Sequence, residues 1–195
     1  MDQVLIIYLG CQMTEWDFIF KNKPVVTNTA RLDLTMSLGY MLAGITWYTQ
    51  EQYNQLPNVV PIPWDRIQIT VKLDQQVIFE SKINGLVEVM HVFEDSGDTQ
   101  HHTLTIHVNG IDNQHRPQWP TGQNGSAMLK WHYIAIENMD MCRVIPGLGN
   151  YILEDGSVNI ATDLAGSNGT QTLPFTTPIY NWLIENHELV CYNSK

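Results

Sequence analysis

Charge is scarce in this chain. Only 15% of its 195 residues are Asp, Glu, Lys or Arg, against about a quarter in an ordinary soluble domain. Long helices usually build their exposed faces from Glu, Lys and Arg, so the shortage argues against a helical protein. Thr, Asn, Gln and Gly do the solvating instead, which suits strands and loops. Positive charge is scarcer still: 10 Lys and Arg stand against 20 Asp and Glu, a formal net charge of −10. Such a field repels phosphate backbones and anionic headgroups, so neither nucleic acid nor a membrane surface is an expected partner.

Cysteine is nearly absent. Cys11, Cys142 and Cys191 are odd in number, far apart and free of any C-x-x-C spacing, which excludes a disulfide framework and a zinc knuckle. They read as free or buried thiols in a reducing compartment. Long hydrophobic runs are missing too. The opening "MDQVLIIYLGCQ" has no basic residue before its apolar run at 4–9, and that run is too short for a signal core or a membrane span. It reads as a buried strand, with no signal peptide and no transmembrane segment expected. Asn124-Gly125-Ser126 and Asn168-Gly169-Thr170 match the glycosylation sequon, but without a secretion signal the Asn-Gly pairs read as turns. There is no internal repeat, linker or low-complexity tract.

What is present is 44% hydrophobic residues, ordinary for a globular protein and enough for one sizeable core. A single domain over 1–195 is expected: N-terminal strands and a crossover over 1–65, core strands over 66–142, and C-terminal strands with a closing segment over 143–195. "RLDLTMSL", 31–38, puts Leu32, Leu34, Met36 and Leu38 on one face, the period of a half-buried strand. "RIQITVKL", 66–73, does the same with Ile67, Ile69, Val71 and Leu73, and "DQQ" turns it into "VIFES" as a hairpin. "LVEVMHVF", 86–93, is apolar on both parities, the pattern of a central strand covered on two sides. "HTLTIHV" sends Leu104, Ile106 and Val108 inward, and "MLKWHYIAIENM", 128–139, reads as the strand beside it. Between 39 and 65 lies a crossover in which "TQEQYNQL" suggests one helical turn before three prolines. At the close, Thr177 is placed to cap a short helix that begins at Pro178 and turns Ile179, Trp182 and Leu183 to one side. Short strands, a long crossover and no helical hairpin predict a mainly β fold: an antiparallel two-sheet β-sandwich of jelly-roll type, with long loops and one or two short helices.

The motifs of catalysis are missing as well: no GxSxG, HExxH, Walker loop or GxGxxG. Glu137 and Asp140, three apart on one expected strand, point to opposite faces and make no carboxylate pair. No enzyme activity is expected. His101 and His107 share a strand face, but the strand between them spans about 20 Å, too far for one metal ion. No cofactor is expected; the weaker alternative is calcium at the acidic turn "FEDSGD", through Glu94, Asp95 and Asp98, whose spacing is not that of an EF-hand loop. Aromatic residues are the stronger theme. The polar loop after the HTLTI strand carries His115, Arg116 and Trp119, and the next strand carries Trp131 and Tyr133; these five are the candidate contact residues, for a protein partner or for a sugar ring stacked on an aromatic face.

The segment "VEVMHVFEDSGDTQHHTLTIHVNGIDNQH" resembles a pattern found in small β-sandwich virion proteins of tailed bacteriophages, cyanophages above all: a hydrophobic strand, a short acidic turn, an HTLTI strand and a polar loop. The close "LPFTTPIYNWLIEN" is similar to the "TPIYLWLLEN" ending of the same group. With the strand "YIAIENMDM", the resemblance covers about half of the chain; the first 65 residues match nothing in it. It implies a non-enzymatic structural component of a virion, made in the host cytoplasm and placed in the head decoration, neck, tail, fibre or baseplate. It implies other virion proteins as partners and a homo-oligomeric or multi-copy state, and it transfers no catalytic residue. The HTLTI strand also occurs in carbohydrate-binding modules of the same topology, so the alternative is attachment to host surface polysaccharide, with a glycan as partner.

Overall fold

The computed structural model describes residues 29–111, 125–141 and 148–186. Cys11, Cys142 and Cys191, the strand expected at 4–9, and the loop residues His115, Arg116 and Trp119 lie outside the described residues. Twelve strands and two short helices are described: β1 (Thr29–Leu42), β2 (Thr46–Thr49), α1 (Gln50–Asn54), β3 (Gln68–Leu73), β4 (Gln76–Lys82), β5 (Leu86–Glu94), β6 (Gln100–Asn109), β7 (Gly125–Ile136), β8 (Met139–Asp140), β9 (Asn150–Leu153), β10 (Val158–Ile160), β11 (Leu164–Ala165), β12 (Gly169–Thr177) and α2 (Ile179–Glu185). They form two antiparallel sheets. The front sheet runs β11-β7-β1-β2, with β5 also paired to β1 and β8 to β7; the back sheet runs β10-β9-β12-β6-β3-β4. From β4 to β7 the chain changes sheet at every connection, as expected of a jelly-roll-type sandwich.

The period-two segments form the strands that their patterns predict. Leu32, Leu34, Met36 and Leu38 of β1 face Ile69, Val71 and Leu73 of β3, Leu104, Ile106 and Val108 of β6 and Leu173 and Phe175 of β12 in one buried cluster. The 66–82 hairpin forms as expected, with Asp74 at positive φ in its two-residue turn. Asp74 is anchored there: its carboxylate accepts from the Thr103 backbone N–H at 2.8 Å and sits 3.0 Å from His102 Nδ1.

Four expectations fail, each for a physical reason. The 86–93 segment is not a central strand. Among the described residues β5 pairs with β1 alone, and Leu86, Met90 and Val92 stand 61%, 67% and 55% exposed. Its two-sided apolar pattern belongs to a strand that is an edge among the described residues. The strand ending at Asn109 is not beside β7: β6 pairs with β3 and β12 in the back sheet, and β7 with β1, β11 and β8 in the front one. Sequence proximity suggested a hairpin where the chain crosses the sandwich. Thr177 does not cap α2. It ends β12, fully buried, with Oγ1 3.3 Å from His102 Nε2, and Pro178 occupies the cap position; Ile179, Trp182 and Leu183 are nonetheless the buried side of the helix. Glu137 and Asp140 do not share a strand, because Glu137 and Asn138, both at positive φ, form the turn between β7 and β8.

The crossover is more ordered than its prolines suggest. Thr49 and Gln52 form a capping box at the start of α1, and Tyr53 packs with Tyr40, Leu42, Ile62 and Ala127 in a second cluster. Burial, then the nearby Tyr40, pushes the Tyr53 hydroxyl up to about 12, and that hydroxyl donates to the Val60 carbonyl at 2.8 Å. Buried Gln50 reaches out of α1 to the β4–β5 connection, donating to the Ile83 carbonyl and accepting from Gly85 N–H at 2.8 Å. The crossover thereby fixes where β5 begins. Leu34→Ala, in the centre of the core and 1% exposed, is expected to lower unfolding stability by about 2–5 kcal/mol in urea denaturation. A loss below about 0.5 kcal/mol would contradict the core described here.

Candidate functional site

The outer face of the front sheet gathers the chemistry. Its organising feature is a bulge in β7. Thr35 of β1 opposes Tyr133, but Met36 opposes Trp131, so His132 is an extra residue on the β7 side. An extra residue lets two neighbours point the same way. Trp131 and Ile134 are both 1% exposed in the core, while His132 and Tyr133 between them both face out.

Trp131, expected among the contact residues, is therefore a core residue. Its indole Nε1 donates to Gln171 Oε1 of the opposite sheet at 3.1 Å, and Gln171 in turn donates to the Thr162 carbonyl. A buried indole N–H needs such a partner. Tyr133 is at the surface, 37% exposed. Beside it, His132 Nε2 is 2.7 Å from Ser37 Oγ. Burial, and after it the charge of Lys130, holds the His132 imidazole below its ordinary pKa of 6.5, with Asp163 pulling in the opposite direction.

Around this pair the face divides into three strips. On β7 and β2, Lys130 Nζ lies 5.6 Å from the Trp47 ring centroid, and Trp47 covers Gly39, where any Cβ would come within 2.4 Å of the indole. Along β1, Arg31 Nε and Nη2 donate to Asp33 Oδ1 at 2.9 and 2.7 Å, and this hydrogen bond and charge raise the guanidinium pKa. The Arg31 backbone N–H donates to Glu137 Oε1 at 2.5 Å, which ties down the β7–β8 turn. Along β5 stand Leu86, Met90 and Val92, with Glu88 and Glu94 between and beyond them. Sequence reading missed Trp47 as part of this face, as well as His132, Lys130 and the β5 strip, because neither the bulge nor the edge position of β5 is written in residue periodicity.

The weak calcium set does not converge. Glu94 faces outward at the end of β5, Asp95 is 7% exposed and its Oδ1 accepts from Gly97 N–H at 3.0 Å, and Asp98 is exposed. Among the described residues no three His, Cys, Asp or Glu side chains come together as a metal site. A second constellation has the connectivity of a charge relay: Asp74 Oδ2, His102 Nδ1, then His102 Nε2 and Thr177 Oγ1. It offers no nucleophile, because Thr177 is fully buried. His102 instead stacks on Phe175 at 5.3 Å and meets the edge of Phe93 at 5.0 Å, so the group pins the 74–75 turn to both sheets. No helix among the described residues is long and apolar enough to cross a membrane.

No family model and no curated protein matches this chain. Among solved structures, the chain is similar to one titled "vCBM60 in complex with galactobiose", at a TM-score of 0.35 and 6% identity, over 73% of this chain and 96% of that one.

In proton NMR, His132 is expected to titrate below 6.5, and Lys130→Met to move its midpoint upward. Because a lowered folded pKa disfavours the imidazolium, His132 costs the fold stability only as pH falls below the unfolded value of 6.5. A midpoint at or above 6.5 in the unsubstituted chain would contradict the partial desolvation of this outward-facing ring beside Ser37 and Lys130.

Proposed function

We propose that this chain is a non-enzymatic structural protein of a tailed-phage virion, acting by protein contact through the outer face of its front sheet, with subunits of the same particle, further copies of itself included, as partners. The observation that carries the protein-contact reading is the strip of exposed Leu86, Met90 and Val92 on an edge strand. Apolar side chains so aligned are uncommon on a surface that faces only water. Met, Tyr, Trp and Arg are the residue types enriched where proteins meet, and Met90, Tyr133, Trp47 and Arg31 occupy one face. The outer face of the back sheet carries Thr70, His107 and Thr170 in one cross-strand row and Lys72, Thr105 and Thr172 in the next, and its exposed apolar residues, Ile152, Val158 and Ile160, lie on the short strands β9 and β10 at one end. The virion assignment is supported by the resemblance of the HTLTI segment and the TPIYNWLIEN close. This function needs no cofactor.

A second reading, carbohydrate attachment, is favoured by one feature. The bulge sets the Tyr133 ring beside His132, with Arg31, Asp33 and Thr35 on the adjacent strand, an aromatic face next to hydroxyl-binding groups.

Two measurements separate them. Immunogold labelling with antiserum to the chain is expected to decorate purified particles at a fixed position; unlabelled particles would overturn the virion assignment. A glycan array with and without calcium is expected to be silent. Saturable sugar binding that Tyr133→Ala or Trp119→Ala abolishes would replace the protein-contact reading with the carbohydrate one.

A further inference from the structure

We infer that two copies of this chain associate edge to edge through β5, antiparallel about a two-fold axis at Met90, so that their front sheets join into one. This deepens the protein-contact reading, and rests on it in taking the front sheet as the contact surface.

The first observation is how the sheet edges are guarded. An unpaired strand edge offers backbone N–H and C=O groups to any passing strand, and proteins blunt such edges with brevity, Lys, Pro, bulges or inward charges. β2, β10 and β11 are only four, three and two residues long. β4 carries Lys82 and is kinked by the register shift opposite Val71 and Lys72. β5 carries charge only as outward Glu88 and the terminal Glu94, and has none of the other devices. It is nine residues long, LVEVMHVFE, without Lys or Pro, and its register with β1 runs through nine pairs with no shift. It is the longest and most regular edge among the described residues, and the least guarded.

The second observation is that β5 is incompletely covered on both faces. Outward stand Leu86, Met90 and Val92. Inward, Val87, His91 and Phe93 are only partly buried, whereas Leu32, Leu34 and Met36 on the neighbouring strand are at most 1% exposed. A strand added to this edge would shield both rows at once, which a ligand lying on one face would not.

The third observation selects the partner and the register. Strands paired antiparallel around one residue place equivalent faces together, so the two sandwiches lie on the same side of the joined sheet. Centring on Met90 pairs all nine residues of β5. Outward, Met90 then meets its own copy, Val92 meets Glu88 and Leu86 meets Glu94; inward, Phe93 meets Val87 and His91 meets Val89. No glutamate faces a glutamate. Moving the axis to His91 would set Glu88 opposite Glu94, a like-charge pair that destabilises a ladder. Each copy brings a formal charge of −10, so the association is opposed by net repulsion and strengthens as salt screens it.

Sedimentation equilibrium of the full chain is expected to give twice the chain mass, with the dimer fraction rising with salt, and Met90→Lys/Val92→Lys to give a monomer whose circular dichroism is unchanged and whose melting temperature no longer rises with protein concentration. Met90→Cys is expected to form a covalent dimer under mild oxidation, above the background that Cys11, Cys142 and Cys191 set in the unsubstituted chain. A chain that stays monomeric at its solubility limit would overturn the inference. So would a dimer that survives both lysines, or a Met90→Cys chain that cross-links no faster than background. Particle labelling is independent of all three: a monomer that still labels particles sinks the edge pairing and leaves the virion reading standing.

Discussion

The hydrogen bond between Trp131 and Gln171 sets a condition that the front sheet must meet. An indole buried between two sheets cannot leave its N–H unpaired, since that would cost about 1–3 kcal/mol, and its acceptor lies on the opposite sheet at 3.1 Å. Trp131 must therefore point inward. So must Ile134, which is 1% exposed three residues later. A regular strand alternates with a period of two and cannot turn both inward. The bulge at His132 absorbs the mismatch, and the outward display of His132 and Tyr133 follows from it. A packing requirement in the core thus produces the surface feature that distinguishes the face.

The same face owes its other half to the length of β1. Fourteen residues long, β1 is lined by β7 along one side, while the other side is shared between β5, opposite 29–37, and β2, opposite 39–42. Gln50 ties α1 to the connection that launches β5, so the crossover and the edge strand are positioned together. The two outer faces differ in their make-up. The back sheet presents threonine, histidine and lysine across its middle strands and exposed Ile152, Val158 and Ile160 on its short end strands. The front sheet presents a nine-residue edge strand with exposed Leu86, Met90 and Val92, an arginine–aspartate pair and aromatic rings.

Much of the fold was legible in the residues. Alternation placed Leu32, Leu34, Met36 and Leu38, then Ile67, Ile69, Val71 and Leu73, then Leu104, Ile106 and Val108 in the core, and all are buried. The hairpin at 74–75, the turn of α1 and the buried side of α2 were equally readable, since each rests on local chemistry. Partnership was not. Nothing local to "HTLTIHV" says that it joins the back sheet while the strand after it joins the front, and nothing in "LVEVMHVF" separates a strand covered on both sides from one left at an edge. The candidate site suffered most. Trp131 and Tyr133 were grouped by proximity, and a one-residue bulge sends them to opposite sides.

The central claim is that β5 is a contact edge rather than a finished border of the sandwich. Hydrogen–deuterium exchange of the segment 86–94 tests it most directly, because amide protection reports whether backbone donors have partners. If β5 pairs with a second copy, the amides that face away from β1 exchange slowly in concentrated protein and speed up on dilution, while β1 and β7 are unchanged. Exchange of that segment that is fast at every concentration would show that the edge meets only water, and would contradict the account.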